Sequence, residues 1–261
     1  MRLSVVVITK DEERNIEACL EAVRWADELI VVDACSLDRT VELARRHTDR
    51  VFTRPWTGFG PQKNYAMDQA RSEWILIVDA DERVPEALKE EILRTISEVA
   101  PDGPVGYEIP RRNYFYGAWV SGGGLYPDCQ QRLIKRGAGR YDETLVHERL
   151  ELRGRVGQLR SPMDHYSMPT ISHHVRKIMS YTTLAAAEKL KRASSVSVLS
   201  IATHHLGTVF KTYVLRKGYR DGVRGLIVAL FAGMYTFVKY AKAWELRNRN
   251  AAVVKGQAQP C

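Results

Sequence analysis

The chain has 261 residues, of which 45% are hydrophobic and 27% charged, an ordinary globular balance that leaves enough apolar material for a sizeable core and excludes bulk disorder. The net charge of +8 is unevenly spread: residues 1–150 carry 21 Lys+Arg against 26 Asp+Glu, and residues 151–261 carry 18 against 5. An acidic half followed by a basic half implies a division of labour, with the basic half either a solvated surface or attracted to an anionic partner, nucleic acid or lipid.

Leu3 to Thr9 is a short, nearly continuous apolar run that suits a strand buried on both faces. Glu12 to Trp25 places Ile16, Leu20 and Val23 at helical spacing. Leu29 to Val32 is a second buried strand ending at Asp33, a helix follows from about Asp38 to His47, and Val51 to Thr53 is a third strand. Gln62 to Arg71 reads as helical, and Trp74 to Val78 as a strand ending at Asp79. Pro85 opens a helix with Leu88, Ile92, Ile96 and Val99 on one face. This alternation predicts a mostly parallel α/β sheet with helices on both faces, and such sheets bind ligands at the carboxyl ends of their strands. Polar clusters at Thr9–Glu12, Asp33–Asp38 and Asp79–Glu82 stand at three such ends.

From Pro101 to Arg160 glycines and aromatics become frequent, as in the run Tyr114 to Trp119 and in Gly122–Gly124. Short strands at Gln130–Ile134 and Thr144–Val146 fit there, among flexible loops suited to an acceptor. After Pro169 the pattern is helical again, with Ile171, Val175, Ile178 and Thr182 on one face. Residues 225–238 are the most apolar run, 14 residues flanked by Arg220, Arg224, Lys239 and Lys242. That is shorter than the ~20 residues of a spanning helix, so the run is expected to lie in a membrane interface. A core helix or a homo-oligomer contact through the C-terminal helices is the alternative. Cys19, Cys35, Cys129 and Cys261 show no metal or disulfide spacing and read as free thiols. No cleavable leader pattern is present at the N-terminus, so a cytoplasmic location is expected.

Asp79-Ala80-Asp81-Glu82 directly follows a buried strand. Two carboxylates one residue apart present oxygens to one hard cation, Mg²⁺ or Mn²⁺, which also bridges to phosphate oxygens and neutralises a diphosphate leaving group.

The segments SVVVITKDEERNI, LIVVDACSLDRT and WILIVDADE resemble the family 2 glycosyltransferases with a GT-A fold. GFGPQKNYA (58–66), VDADERV (78–84), RRNYFYGAWVSGGGLYPD (111–128), RLIKR (132–136), LVHE (145–148) and the C-terminal run from Tyr219 resemble bacterial lipopolysaccharide core β-1,4-glucosyltransferases. The resemblance implies a GT-A-type domain at 1–165 and a basic helical, membrane-associating region at 166–261. It implies an inverting, metal-dependent transfer of a hexose from UDP-glucose onto an inner-core heptose of a glycolipid. The transfer would take place at the cytoplasmic membrane's inner face. Thr9, Glu12, Asp33, Lys63 and Asp79 would line the nucleotide-sugar pocket; Asp81, with Asp79 and His165, would hold the metal. Ala34 stands where many members carry a second aspartate that contacts the base, and Lys10 replaces a common aromatic neighbour.

An inverting transfer needs a carboxylate to take the acceptor hydroxyl's proton. Glu148, after His147, and Asp128, after Tyr126-Pro127, are the candidates; a loop-capping carboxylate is the bland alternative for either. Trp119, Tyr114, Tyr116 and Tyr126 suit stacking on sugars or packing of a loop, and Arg132 and Arg136 suit acceptor phosphates or surface ion pairs. Transfer to a polyprenyl phosphate is a second reading. A basic nucleic-acid-binding protein is a third, disfavoured because no nucleic-acid motif is present, and no nucleic-acid partner is expected.

Overall fold

The protein was examined as a computed structural model that describes residues 2–142, 149–192 and 198–257. Its strands are β1 (Leu3–Thr9), β2 (Glu28–Asp33), β3 (Val51–Thr53), β4 (Trp74–Asp79), β5 (Glu82–Arg83), β6 (Gly106–Phe115), β7 (Ala118–Trp119), β8 (Asp128–Lys135), β9 (Gly139–Tyr141), β10 (Leu150–Leu152), β11 (Val156–Gln158) and β12 (Met163–Met168). Its α-helices are α1 (Ile16–Glu21), α2 (Thr40–Ala44), α3 (Phe59–Asp68), α4 (Glu86–Glu98), α5 (Ile171–Arg192), α6 (Val198–Phe210) and α7 (Gly222–Gln257).

The chain clusters into two compact units: Met1–Asn113 with Pro127–Ser167, and Tyr114–Tyr126 with Met168–Cys261. The segment 114–126 thus belongs with the helical unit, although it lies well before residue 166 in the chain.

In the first unit the strand order is β3-β2-β1-β4-β8-β6-β12-β5. The four apolar strands at one end are parallel, as their uninterrupted aliphatic runs predict. Every residue of β1 is buried. Alternation sends Leu3, Val5 and Val7 into one core layer with Ile16, Leu20, Leu88 and Ile92. Val6 and Ile8 enter the other, with Ala66 and Met67 of α3.

The glycine- and aromatic-rich stretch holds more order than its composition suggests. β8 runs antiparallel to β4, and the ten-residue β6 runs antiparallel to β8, so the parallel sheet is extended rather than fringed by loops. The helices predicted from Glu12 and Asp38 are shorter than their periodicity suggests. Asp38 Oδ1 accepts the Thr40 N–H at 3.0 Å, and Asp11 takes a φ of 53°, which commits both segments to turns before helix can begin. The predicted strand at 144–146 lies outside the described residues.

In the second unit α7 packs against both α5 and α6. Residues 225–238 sit inside this helix, and within the 31-residue span Gly218–Asn248 an 18-residue window reaches a mean hydropathy of 1.4. By length and composition it suffices to cross a membrane. Gly225 is dictated by close approach, since a Cβ there would lie 1.8 Å from the Gly218 carbonyl oxygen.

Candidate active site

Parallel register assembles the site. Thr9 pairs with Asp33 across β1 and β2, and Ile8 pairs with Asp79 across β1 and β4, so the three predicted polar clusters meet at one edge of the sheet. Two of the three are laced together by their own loops. Asp33, fully buried, accepts the Ser36 N–H at 2.9 Å and the Ser36 hydroxyl. Asp11 accepts the Leu37 N–H at 2.8 Å, and Lys10 donates to the Ala34 carbonyl at 3.2 Å. Glu12 accepts from the Asn15 amide at 2.7 Å. The carboxylates of Asp33 and Glu12 therefore shape these loops. Thr9 Oγ1 is a buried hydroxyl with no partner among the described residues, the signature of an atom kept for a ligand or an ordered water.

Helix α3 enters over this edge. Its Asn64 side chain donates to the Tyr141 carbonyl and accepts the Tyr141 N–H, both at 2.9 Å, clamping α3 to β9. Gly60 permits the approach: a Cβ would stand 2.1 Å from the Asp142 carbonyl oxygen. So held, Lys63 is 5% exposed and brings Nζ to 3.7 Å from Asp79 Oδ1.

Around Asp79 lies a buried charge lattice. Arg132, on β8 and 3% exposed, donates to Asp79 Oδ2 at 2.5 Å and to Glu82 Oε1 at 2.7 Å. Glu82, fully buried, also accepts from Arg111 at 3.0 Å and from the Asp79 N–H at 2.9 Å. Arg111 in turn holds Asp128 Oδ2 through Nε at 3.0 Å and Nη2 at 2.6 Å. Three carboxylates thus face three cations, Lys63, Arg111 and Arg132. Burial pushes the Asp79 carboxyl up, but Arg132 and Lys63 outweigh it and hold the group well below the usual carboxylate range.

Asp81 stands apart from this lattice. The β12–β5 ladder pairs His165 with Glu82, and the Tyr166 N–H donates to the Asp81 carbonyl at 2.8 Å. His165 Nε2 is thereby placed 3.4 Å from Asp81 Oδ2. The other ring nitrogen, Nδ1, lies 2.6 Å from Asn113 Oδ1, while the Asn113 amide nitrogen donates to Asp128 Oδ2 at 3.2 Å. Because that amide points its nitrogen at a carboxylate, its oxygen must accept, and Nδ1 carries the proton. In the neutral ring Nε2 then presents a lone pair to a carboxylate, an arrangement that a cation between them would satisfy. Asp81 and His165 therefore fit a divalent ion.

Several sequence expectations are redirected. Asp79 faces Arg132 and Lys63, while Asp81 lies beside His165, and among the described residues no three His, Cys, Asp or Glu side chains converge as metal ligands. Asp128 is saturated by Arg111, Asn113 and Gln130. Burial raises its pKa, but Arg111 and these hydrogen bonds lower it overall, which weakens it as a base. Glu148, with His147, lies outside the described residues. Arg132 is consumed by Asp79 and Glu82 and cannot meet an acceptor phosphate. Arg136 lies beside Glu73, at the amino end of β4, and its N–H donates to the Glu73 carbonyl at 2.8 Å. In the second unit, Trp119 and Tyr126 form an edge-to-face pair with ring centroids 5.4 Å apart, and Tyr116 bonds His174. A separate hollow near Arg2, Trp25 and Arg94 opens at the amino ends of the strands, away from these groups. Sequence reasoning missed the roles of Glu82, Arg111 and Asn113. The i, i+2 spacing of Arg111 and Asn113 on one strand face was the available signal.

The model of the family described as glycosyl transferase family 2 matches residues 4–135, just over half of the chain. The chain belongs to this family. As a family 2 glycosyltransferase it is similar along nearly its whole length to the lipopolysaccharide core biosynthesis glycosyltransferase LpsC of Rhizobium meliloti (strain 1021), with 29% identity over 93% of this chain and 92% of LpsC. An uncharacterized glycosyltransferase of Rickettsia bellii (strain RML369-C) is 28% identical over 94% of this chain and 87% of its own. Among solved structures, the mannosyltransferase PcManGT from Pyrobaculum calidifontis, in complex with GDP-Man and Mn²⁺, covers 93% of this chain and 87% of its own at TM-score 0.52 and 17% identity. That likeness is one of fold, the GT-A type. The family match takes in the whole charge lattice and Asp81 but stops short of His165, which the chain supplies from β12.

Proposed function

We propose that this glycosyltransferase transfers a hexose, with inversion and with a divalent cation, from a nucleotide sugar to a lipopolysaccharide core acceptor at the inner face of the cytoplasmic membrane. The carrying observation is the Asp81–His165 pair beside a charge-locked Asp79 at the carboxyl ends of β1, β2 and β4. The acceptor class is supported by LpsC, whose name assigns it to lipopolysaccharide core biosynthesis. UDP-glucose as donor and an inner-core heptose as acceptor are the finer reading.

In this scheme Asp81 and His165 hold Mg²⁺ or Mn²⁺, which supplies positive charge to the diphosphate leaving group. Thr9 offers its unpartnered hydroxyl to the nucleotide. Asp33 and Glu12 keep the two loops that frame it in place. Lys63 sits within reach of anionic oxygens arriving beside Asp79, its ammonium over the rings of Phe59 and Tyr141. Asp79 remains ionised and acts as a fixed acceptor at the pocket floor. Glu148 is the preferred general base, since the ion pairs on Asp128 tie that carboxylate to Arg111. The basic helical region, 166–261, carries membrane contact. Ala34 leaves the base contact open, so the donor screen must include more than uridine nucleotides.

The deciding experiment incubates purified protein with UDP-, GDP- and ADP-linked hexoses, Mn²⁺ and a deacylated or intact core acceptor. Product from one donor, lost on chelation and absent in Asp81→Asn, is the expected result. Transfer unaffected by chelation and by that substitution would remove the metal site from the proposal.

A further inference from the structure

The hairpin formed by α6, a π-helical turn at Lys211–Leu215, a 3-10 turn at Gly218–Asp221 and α7 lies wholly within the second unit and exposes an unusual surface. Phe210 is 57% exposed, Leu215 64% and Val223 73%. Along α7, Val223, Leu226, Leu230, Phe237 and Trp244 are all exposed and recur at intervals of three, four and seven, which puts them on one face over about 32 Å. Only 22% of the most apolar 18-residue window in Gly218–Asn248 is buried inside the structure. A core helix would be mostly covered, so this face is apolar surface awaiting an occupant.

The charges around it select which occupant. From Val198 to Trp244 the chain carries seven Lys and Arg and a single acid, Asp221. Lys211, Arg216, Lys217, Arg220 and Arg224 are all exposed around the hairpin tip. Asp221 is turned onto the glycine-rich segment, where its carboxylate accepts the Ser121 N–H at 3.1 Å and the Gly122 N–H at 2.7 Å. That one negative charge is thereby spent on holding the tip in shape, together with Lys217 in a left-handed conformation and the close Gly218–Gly225 contact. A second copy docking tip to tip through the same face would set like charges against each other, the nearest other acid, Glu245, lying at the far end of the stripe about 30 Å along α7. An anionic bilayer supplies both what the stripe lacks and what the tip lacks: acyl chains and phosphates.

We propose that this hairpin is a membrane-docking surface that lies in the interface of an anionic bilayer, with the α7 stripe at the acyl boundary and the five basic tip residues on lipid phosphates. It deepens the reading of a membrane-borne acceptor, and its test is independent of catalysis, because vesicle binding needs neither donor nor acceptor.

The full chain is co-sedimented with vesicles of phosphatidylcholine alone and with 30% phosphatidylglycerol, at low and high salt. Binding to the anionic vesicles, weakened by salt, is expected. Lys217→Glu with Arg220→Glu is expected to weaken it by about 10-fold or more, and Phe210→Ser with Leu215→Ser and Val223→Ser to abolish it, with unchanged circular dichroism and thermal unfolding. Three results would each overturn the proposal. The first is no binding to anionic vesicles. The second is a dimer in light scattering that the serine variant dissolves, which would make a second copy the occupant. The third is retention through alkaline carbonate with protease cleavage from both sides, which would mean a spanning helix. If the serine variant misfolds, the charge-reversal pair decides alone, and equal binding by that pair and the unaltered chain would refute the basic contact.

Discussion

Arg132 shows how a residue's chemistry depends on what folds against it. As one basic residue in RLIKR it reads as a phosphate ligand; in the structure it neutralises Asp79 and Glu82 from a fully buried position. Removing it as Arg132→Met leaves the three carboxylates Asp79, Glu82 and Asp128 with only two cations, Arg111 and Lys63, which should cost about 3–5 kcal/mol of stability. Urea unfolding of the variant would show this as a lower midpoint, and an unchanged midpoint would mean the lattice is not stabilising. Asp81 and His165 are proposed as metal ligands, and their side chains lie 3.4 Å apart. Asp81→Asn should lower transfer by about 100-fold or more, read as product formed from a labelled donor. His165→Ala should weaken Mn²⁺ binding by about 10-fold or more, read by calorimetry. That Asp79 and Asp81 stand at the carboxyl end of a buried strand was legible in the sequence. Their division of labour was not, since it depends on Arg132 and His165, which lie some 50 and 80 residues onward in the chain.

Among the elements, the parallel strands and α4 were readable from period-2 and period-3.6 patterns, because their side chains are sorted by core layers on both faces. The antiparallel strands β6, β8 and β12 were less readable. They mix buried aliphatics with charged residues that find partners within the sheet, so neither period dominates. α5 is tied down by His174, whose Nδ1 lies 2.6 Å from the Tyr116 hydroxyl and whose ring packs 4.5 Å from that of Phe231. Burial lowers the His174 pKa from 6.5 to about 4, with the positive charges of Lys177 and His173 acting in the same direction. The unfolded chain therefore binds more protons between these values. Stability contributed by the neutral ring is intact above pH 6.5 and is lost as pH falls towards 4, by at most about 3 kcal/mol. Urea midpoints across that range should fall with pH, and the slope should shrink in His174→Phe. A pH-independent difference between the two proteins would refute the assignment. Gly60→Ala should separate α3 from β9 and displace Lys63, seen as weaker nucleotide binding with a stability loss of about 1–3 kcal/mol.

For the molecule as a whole, a nucleoside diphosphate and Mn²⁺ should stabilise the fold together more than either does alone. At a hundredfold excess over Kd the gain is about 2.7 kcal/mol, visible as a raised Tm, and Asp81→Asn should remove the increment due to the metal. The amino-acid order alone settled the parallel α/β core and the family, because burial is a local property of composition and period. Which carboxylates Arg111 and Arg132 neutralise, and that α7 leaves its apolar face exposed, were decided only in three dimensions. Strand register and helix packing set those pairings, and no local stretch of the chain encodes the distance between side chains that folding brings together.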